Sequence, residues 1–354
     1  MALLVALALA SEAAARRPRA LVAGTTFETG VLATVAMAPP RRTRELPTDV
    51  FSDAVVRVTG GYAVVLNRFL ADNVQILSRK LRTRLQCGTG AGSNPHDIVA
   101  VARDKAYVTR YGGRELWIVD PSARGCQRFR RGTIDLGPFA DADGLPEMDQ
   151  TAVVGTRLFV SVQRLDRTQG FAPSGKSRLV VIDTTTDAVV GAIELHGSNA
   201  FGDSSGIVHD PASGRLAVST PADIYKVGDG GIEWVDPETL TAEGRFFVTE
   251  DQLGGNVTDF VLVSATKGYA VVQAADLRNR LVAFDPTSTT PPVQLFARDG
   301  FLPDVALAPD GLLWLADQSR PSYGIRIFDP ATGAQVTRDP IDVGLPPFSM
   351  GFVP

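Results

Sequence analysis

Apolar residues along this chain fall in short runs broken by Gly, Pro, Asn or Asp, and no segment sustains an apolar repeat near 3.6 residues. The runs are rich in Val, Ile, Leu, Tyr and Phe, as in "HDIVAVARDKAYVTRY" from His96 and "TDFVLVSATKGYAVVQA" from Thr258. Such a pattern predicts short β-strands joined by turns. The pattern also repeats. "SDAVVRVTGGYAVVLNR" from Ser52, "MDQTAVVGTRLFVSVQR" from Met148, "DSSGIVHDPASGRLAVST" from Asp203 and "PDVALAPDGLLWLADQ" from Pro303 align with the first two. Asp97 precedes Tyr107 by ten residues, and the same interval separates Asp149 from Phe159, Asp259 from Tyr269 and Asp304 from Trp314. Each unit then adds a third run, such as "LWIVD", "LVVID" or "IRIFD", whose closing aspartate starts a turn by bonding its own downstream backbone.

Six units of about 45–55 residues, each yielding four short strands, match the period of a propeller blade. A seventh unit opens at Phe348 with "FSMGFVP" but has nothing after it. The N-terminal runs "ALVAGTTFE" and "VLATVAM" lack a first strand before them. These two incomplete ends complement each other. The expectation is an all-β, seven-bladed β-propeller over residues 20–354, closed by pairing N-terminal strands with the C-terminal strand so that no long edge stays open. The aromatics Tyr62, Tyr107, Phe159, Tyr269 and Trp314 recur at one strand position and read as core between blades.

At "KAYVTRYGGRELWIVDP" the chain resembles the YVTN family of bacterial β-propeller repeats, through Tyr107, Val108, Thr109 and the "WIVD" run, with Arg110 where the family usually has Asn. Weaker echoes stand at "GYAVV" from Gly268 and "GRLAV" from Gly214. The resemblance implies a seven-bladed propeller, commonly on exported or surface proteins, and implies little about activity.

Composition narrows the classes of partner. A formal net charge of −4 and arginines scattered along the chain give no footprint for nucleic acid or an anionic membrane. The opening "MALLVALALASEAAARRPR" reads as an export signal or an Ala-rich disordered tail over residues 1–19, and no other run is long enough to span a bilayer. Export places the chain in the periplasm or at the cell surface. Cys87 and Cys126 fit no zinc motif, and whether they bond to each other stays open.

A propeller brings the starts of its innermost strands to one rim. That rim should carry Asp53, Asp97, Asp149, Asp259 and Asp304, with the loops after the second strands bringing Arg68, Arg110 and Arg164 over it. Adjacent carboxylates there repel by roughly 1.5–2.5 kcal/mol at an effective dielectric near 20. Three arrangements offset this: backbone N–H groups and arginines, a hard cation such as Ca²⁺, or a catalytic site with His96 as base beside Asp97. In the loop "DLGPFADADGLPEMDQ", Asp141, Asp143 and Glu147 around Gly144 form part of a calcium-loop pattern. No nucleophile elbow, phosphate loop, dinucleotide fingerprint or haem motif occurs. The functional expectation is a non-enzymatic exported scaffold that needs no cofactor beyond an optional Ca²⁺ and binds a protein or glycan on the loop-bearing face. The alternative is a metal-dependent hydrolase or lactonase built on the rim carboxylates and His96.

Overall fold

Alternating apolar runs become antiparallel four-stranded sheets, seven of which follow one another around a ring. The computed structural model describes residues 18–354, so nearly all of the expected export signal or Ala-rich tail lies outside the described residues. The chain is a seven-bladed β-propeller. Blade 1 combines Pro347–Val353 as innermost strand with Arg19–Thr25, Gly30–Ala36 and Thr43–Glu45. The closing register pairs Leu21 with Gly351 and Val22 with Met350, so the tail strand completes the head of the chain as its sequence implied. Blades 2 to 6 begin at Ala54, Pro95, Met148, Ile207 and Asn256, and each has four strands in its main sheet, consecutive except in blade 4, where the short ladder Leu165–Asp166 with Ala172–Pro173 intervenes after the second strand.

Blade 7 departs from the four-strand expectation. It has Asp304–Leu307, Leu313–Asp317 and Gly324–Phe328, and the place of a fourth strand is taken by two isolated bridges, Ile325 with Ile341 and Phe328 with Gln335. Pro340 lies between the bridging residues and has no N–H to give a ladder.

Seven apolar clusters hold the ring, each filling the gap between two neighbouring blades. Between blades 2 and 3, for example, Val64, Leu66 and Ile76 meet Val108, Trp117 and Phe129. Each fully buried side chain of this size contributes about 1.5–3 kcal/mol. Tyr107, Phe159, Tyr269 and Trp314 are wholly buried in these clusters as expected. Tyr62 is half-buried instead, with its hydroxyl donating to the Arg103 carbonyl at 2.7 Å. Cys87 and Cys126 form a disulfide with Cα atoms 5.4 Å apart, tying the outer strand of blade 2 to blade 3.

Candidate functional site: the aspartate rim and the loops above it

The inner strands all run the same way along the axis, so their first residues gather at one end. What they do there is bond to the next blade. Asp97 Oδ2 accepts from the N–H (2.9 Å) and hydroxyl of Thr151 in blade 4, while its Oδ1 takes Arg57 Nε of blade 2 at 2.7 Å. Asp259 Oδ1 accepts Ser205 N–H, from the segment entering blade 5, and its Oδ2 accepts Val305 N–H of blade 7, both at 2.8 Å. Asp304 Oδ2 accepts Met350 N–H at 2.6 Å, and Ser349 Oγ accepts Val56 N–H at 3.1 Å, which carries the chain of bonds through the closing strand into blade 2. Buried carboxylates here are acceptors for backbone donors that water cannot reach.

Asp149 is held differently. Its Oδ1 lies 2.8 Å from His96 Nδ1, and its Oδ2 accepts Gln163 Nε2 at 3.1 Å. The His96 ring stacks on Tyr111 with centroids 4.4 Å apart, and the Arg167 guanidinium covers the far part of that assembly, 5.6 Å from the Tyr111 ring. The carboxylate and the stacked ring together fix the orientation of the imidazole. Its partner Asp149 is almost fully buried, and Thr109 bonds the Asp149 carbonyl at 2.7 Å. Asp53 turns inward on its own blade, accepting Arg68 at 2.6 Å and Phe69 N–H at 3.2 Å.

Arginines meet the rim carboxylates at Asp53, through Arg68, and at Asp97, through Arg57, which the sequence buried inside "VVRV". Arg110 lies on Trp117 at 4.7 Å and bonds the Thr89 carbonyl, and Arg164 bonds the Lys176 carbonyl at 2.9 Å. Neither forms an ion pair with a rim aspartate among the described residues, because each is drawn to partners at the periphery. Asp259 and Asp304 are both pushed up, chiefly by burial, and for Asp259 next by repulsion from Asp304, which itself reaches about 7. Desolvation, then the charges of Asp149 and Asp304, raises Asp203 to about 8 against the opposing pull of Arg68.

Among the described residues, Asp141, Asp143 and Glu147 form the one group of three or more metal-ligand side chains, with candidate oxygens all within 4.8 Å. Asp141 Oδ1 caps Asp143 N–H and Asp143 Oδ1 caps Leu145 N–H, but the second oxygen of each aspartate is buried without a hydrogen-bond partner. Glu147 is fully buried, accepts Leu165 N–H and Arg167 Nε, and is raised by desolvation to about 7. Three hard-oxygen donors, two of them with orphaned atoms, fit a Ca²⁺-type ion.

The loops between second and third strands rise over the rim, and here the structure shows what periodicity had no means to flag. Phe27, Leu70, Phe171 and Leu277 stand in these loops in blades 1, 2, 4 and 6, exposed by 57%, 76%, 51% and 71%. All four hold a left-handed backbone, with φ of 64°, 68°, 64° and 63°. Exposed Ile224 and Tyr225 occupy the equivalent loop of blade 5, and exposed Phe51 precedes the first strand of blade 2 on the same face. For an L-residue with a bulky side chain this conformation costs about 1–2 kcal/mol.

Solved structures of similar shape are numerous but distant. A protein from Lactobacillus plantarum shares 12% identity at a TM-score of 0.65, the match covering 96% of this chain and all of that one. A putative 6-phosphogluconolactonase from Bacteroides fragilis shares 13% identity at 0.62, covering 95% of this chain and 98% of that one. The dihydro-heme d1 dehydrogenase NirN shares 16% identity at 0.58, covering 94% of this chain, which spans only 65% of the dehydrogenase's length. At these identities the likeness shows the fold alone. No protein-family model matches the chain, and neither does any curated protein. The YVTN resemblance therefore rests on Tyr107 to Thr109 and the strand that follows.

Proposed function

We propose that this propeller is an exported, non-enzymatic scaffold that binds a partner protein on its rim face. The observation that carries the reading is the set of four apolar loop tips, Phe27, Leu70, Phe171 and Leu277, each exposed and each in a left-handed conformation. Strained backbone and exposed apolar surface both cost stability, and both recur at equivalent loops of one face. Binding surfaces concentrate such features, and loops on a rigid scaffold are their usual place. Aliphatic tips such as Leu70, Ile224 and Leu277 favour a protein over a glycan, since they offer neither a ring face nor a polar group to a sugar. The Cys87–Cys126 bond supports export, because such bonds persist in oxidising compartments.

The hydrolase or lactonase alternative is weaker. Asp97, Asp259 and Asp304 spend oxygens on neighbouring blades' donors, and His96 is engaged with Asp149. The test of the scaffold reading is a photo-crosslinking residue placed at Leu70 or Leu277, with exposed Val190 on the outer strand of blade 4 as control. The same protein adduct from both tips and none from Val190 supports it. No adduct, or equal adducts at all three positions, contradicts it, and carbohydrate adducts reassign the face to a glycan.

A second reading concerns the Asp141, Asp143 and Glu147 group, which we propose takes a Ca²⁺ ion that stiffens the loop beside the rim; its support is the pair of orphaned buried aspartate oxygens. Calcium at a hundred times its dissociation constant should then add about 2.7 kcal/mol of stability. D141N/D143N should abolish that gain, and identical melting with Ca²⁺ and with EDTA would remove the ion from the account.

A further inference from the structure

Six of the arginines that look scattered in the sequence converge, with Lys80, on the opposite face. A groove of about 1360 Å³ there is lined by seven cationic side chains and by no carboxylate side chain. It is built from the start of the second strand of blade 1 at Arg19, its short outer strand at Arg44, and the turn before the outer strand of blade 2 at Lys80 and Arg82. Arg84 of that outer strand and Arg103 of blade 3's first hairpin complete it. Arg19, Arg44, Lys80, Arg82 and Arg103 are exposed, and none of them enters an ion pair among the described residues. Arg84 is anchored through its guanidinium to the carbonyls of Pro121 and Ala123. A second hollow shares Arg19 and Arg44 and adds Arg42, which extends the positive strip along blade 1. In a chain of net charge −4, this is a concentrated reversal of sign.

We propose that this groove is a second binding site, and that it takes an acidic peptide segment of a partner protein. Arginine dominates the set, and its planar fork matches carboxylates two bonds at a time. Between the cations the lining is aliphatic, with Val58 and the edges of Leu46, Leu77 and Leu81, which suits apolar side chains interleaved with Asp or Glu. Single-stranded nucleic acid needs free aromatic faces for stacking. The one aromatic ring in the groove, Tyr62, is half-buried and tied to Arg103. The hollow shape likewise suits a chain segment better than a flat lipid surface.

Fluorescence anisotropy with a labelled twelve-residue peptide of alternating Glu and Leu, at low ionic strength, tests the site directly. R44E/R82E/R103E should weaken binding at least about tenfold, since each exposed charge pair is lost and reversed. Affinity should also fall with added salt. R44Q/R82Q/R103Q should bind with intermediate affinity, and circular dichroism should show both variants folded. L70E/L277E, which alters the opposite face, should bind the peptide as wild type does. A peptide that does not bind, or that binds wild type and the reversal variant equally, overturns the proposal. So does tighter binding of a twelve-nucleotide oligothymidylate, an oligogalacturonate or phosphatidylglycerol vesicles than of the peptide. The rim-face crosslinks stand or fall separately from each of these results.

Discussion

Replacing Asp259 by alanine removes the acceptor for two backbone donors that come from two other blades. Asp259 is fully buried, and its two oxygens take Ser205 N–H and Val305 N–H at 2.8 Å each. An unsatisfied buried donor costs about 1–3 kcal/mol, so the pair costs about 2–6 kcal/mol. Against this, the variant loses a desolvated carboxylate that Asp304 repels, which returns part of the cost. A net loss of about 2–4 kcal/mol results. D259N keeps one acceptor but turns an amide N–H₂ toward the other donor, and removes the charge, so it should lose less than alanine. Asp53→Ala is the control, because among the described residues Asp53 bonds only within its own blade, to Arg68 and Phe69. Its loss should stay near 1 kcal/mol. Urea denaturation followed by tryptophan fluorescence reads all three. If D259A falls within about 0.5 kcal/mol of wild type, the rim acids are not joining the blades and the interpretation of Asp97 and Asp304 fails with it.

Two further outcomes follow from the same geometry. Glu147, Glu250 and Asp304 are raised to about 7 and Asp203 to about 8, so the folded chain binds more protons than the unfolded one above the ordinary carboxylate range. Their contribution to stability therefore declines as pH rises from about 4 toward 8. Turn acids such as Asp120, Asp210 and Asp329 are depressed and contribute the opposite slope at lower pH, giving a maximum in mildly acid solution. Melting temperatures across pH 3–9 check this, and a monotonic rise would refute it. C87A/C126A opens a link spanning 39 residues and should cost about 3–4 kcal/mol in denaturant unfolding, whereas no loss would show that the bond does not constrain the chain.

The ring was legible because its signals are local and repeated. Apolar alternation, the ten-residue step from Asp97 to Tyr107 and its repeats, and the unpaired ends at Phe348 and the N-terminal runs each follow from strand geometry. The fourth strand expected in blade 7 was not met, since one proline disrupts a run that otherwise reads as edge strand. At the rim, the placing of Asp97, Asp259 and Asp304 near the starts of inner strands was foreseeable, but their bonds to neighbouring blades were not. Those bonds depend on how adjacent sheets stagger, which no single repeat encodes. Arg57 was hidden as the one charge in an apolar run. Leu277 was hidden as a lone apolar residue between Asp276 and Arg278, and Leu70 as part of a short Phe69–Ala71 run that reads as the end of a strand. The cationic groove draws on turns of three blades, far apart in sequence, and only the folded ring assembles it.

The claim that the rim-face tips are kept for binding rather than for folding is tested most directly by L70G/L277G. Both residues are largely exposed and left-handed, so glycine relieves backbone strain and forfeits little packing. The unfolding free energy should stay unchanged or rise by up to about 1 kcal/mol, while a probe at Phe171 loses the crosslinked protein adduct. A variant that is clearly less stable, or that captures the same adduct as fully as the parent chain, would contradict it.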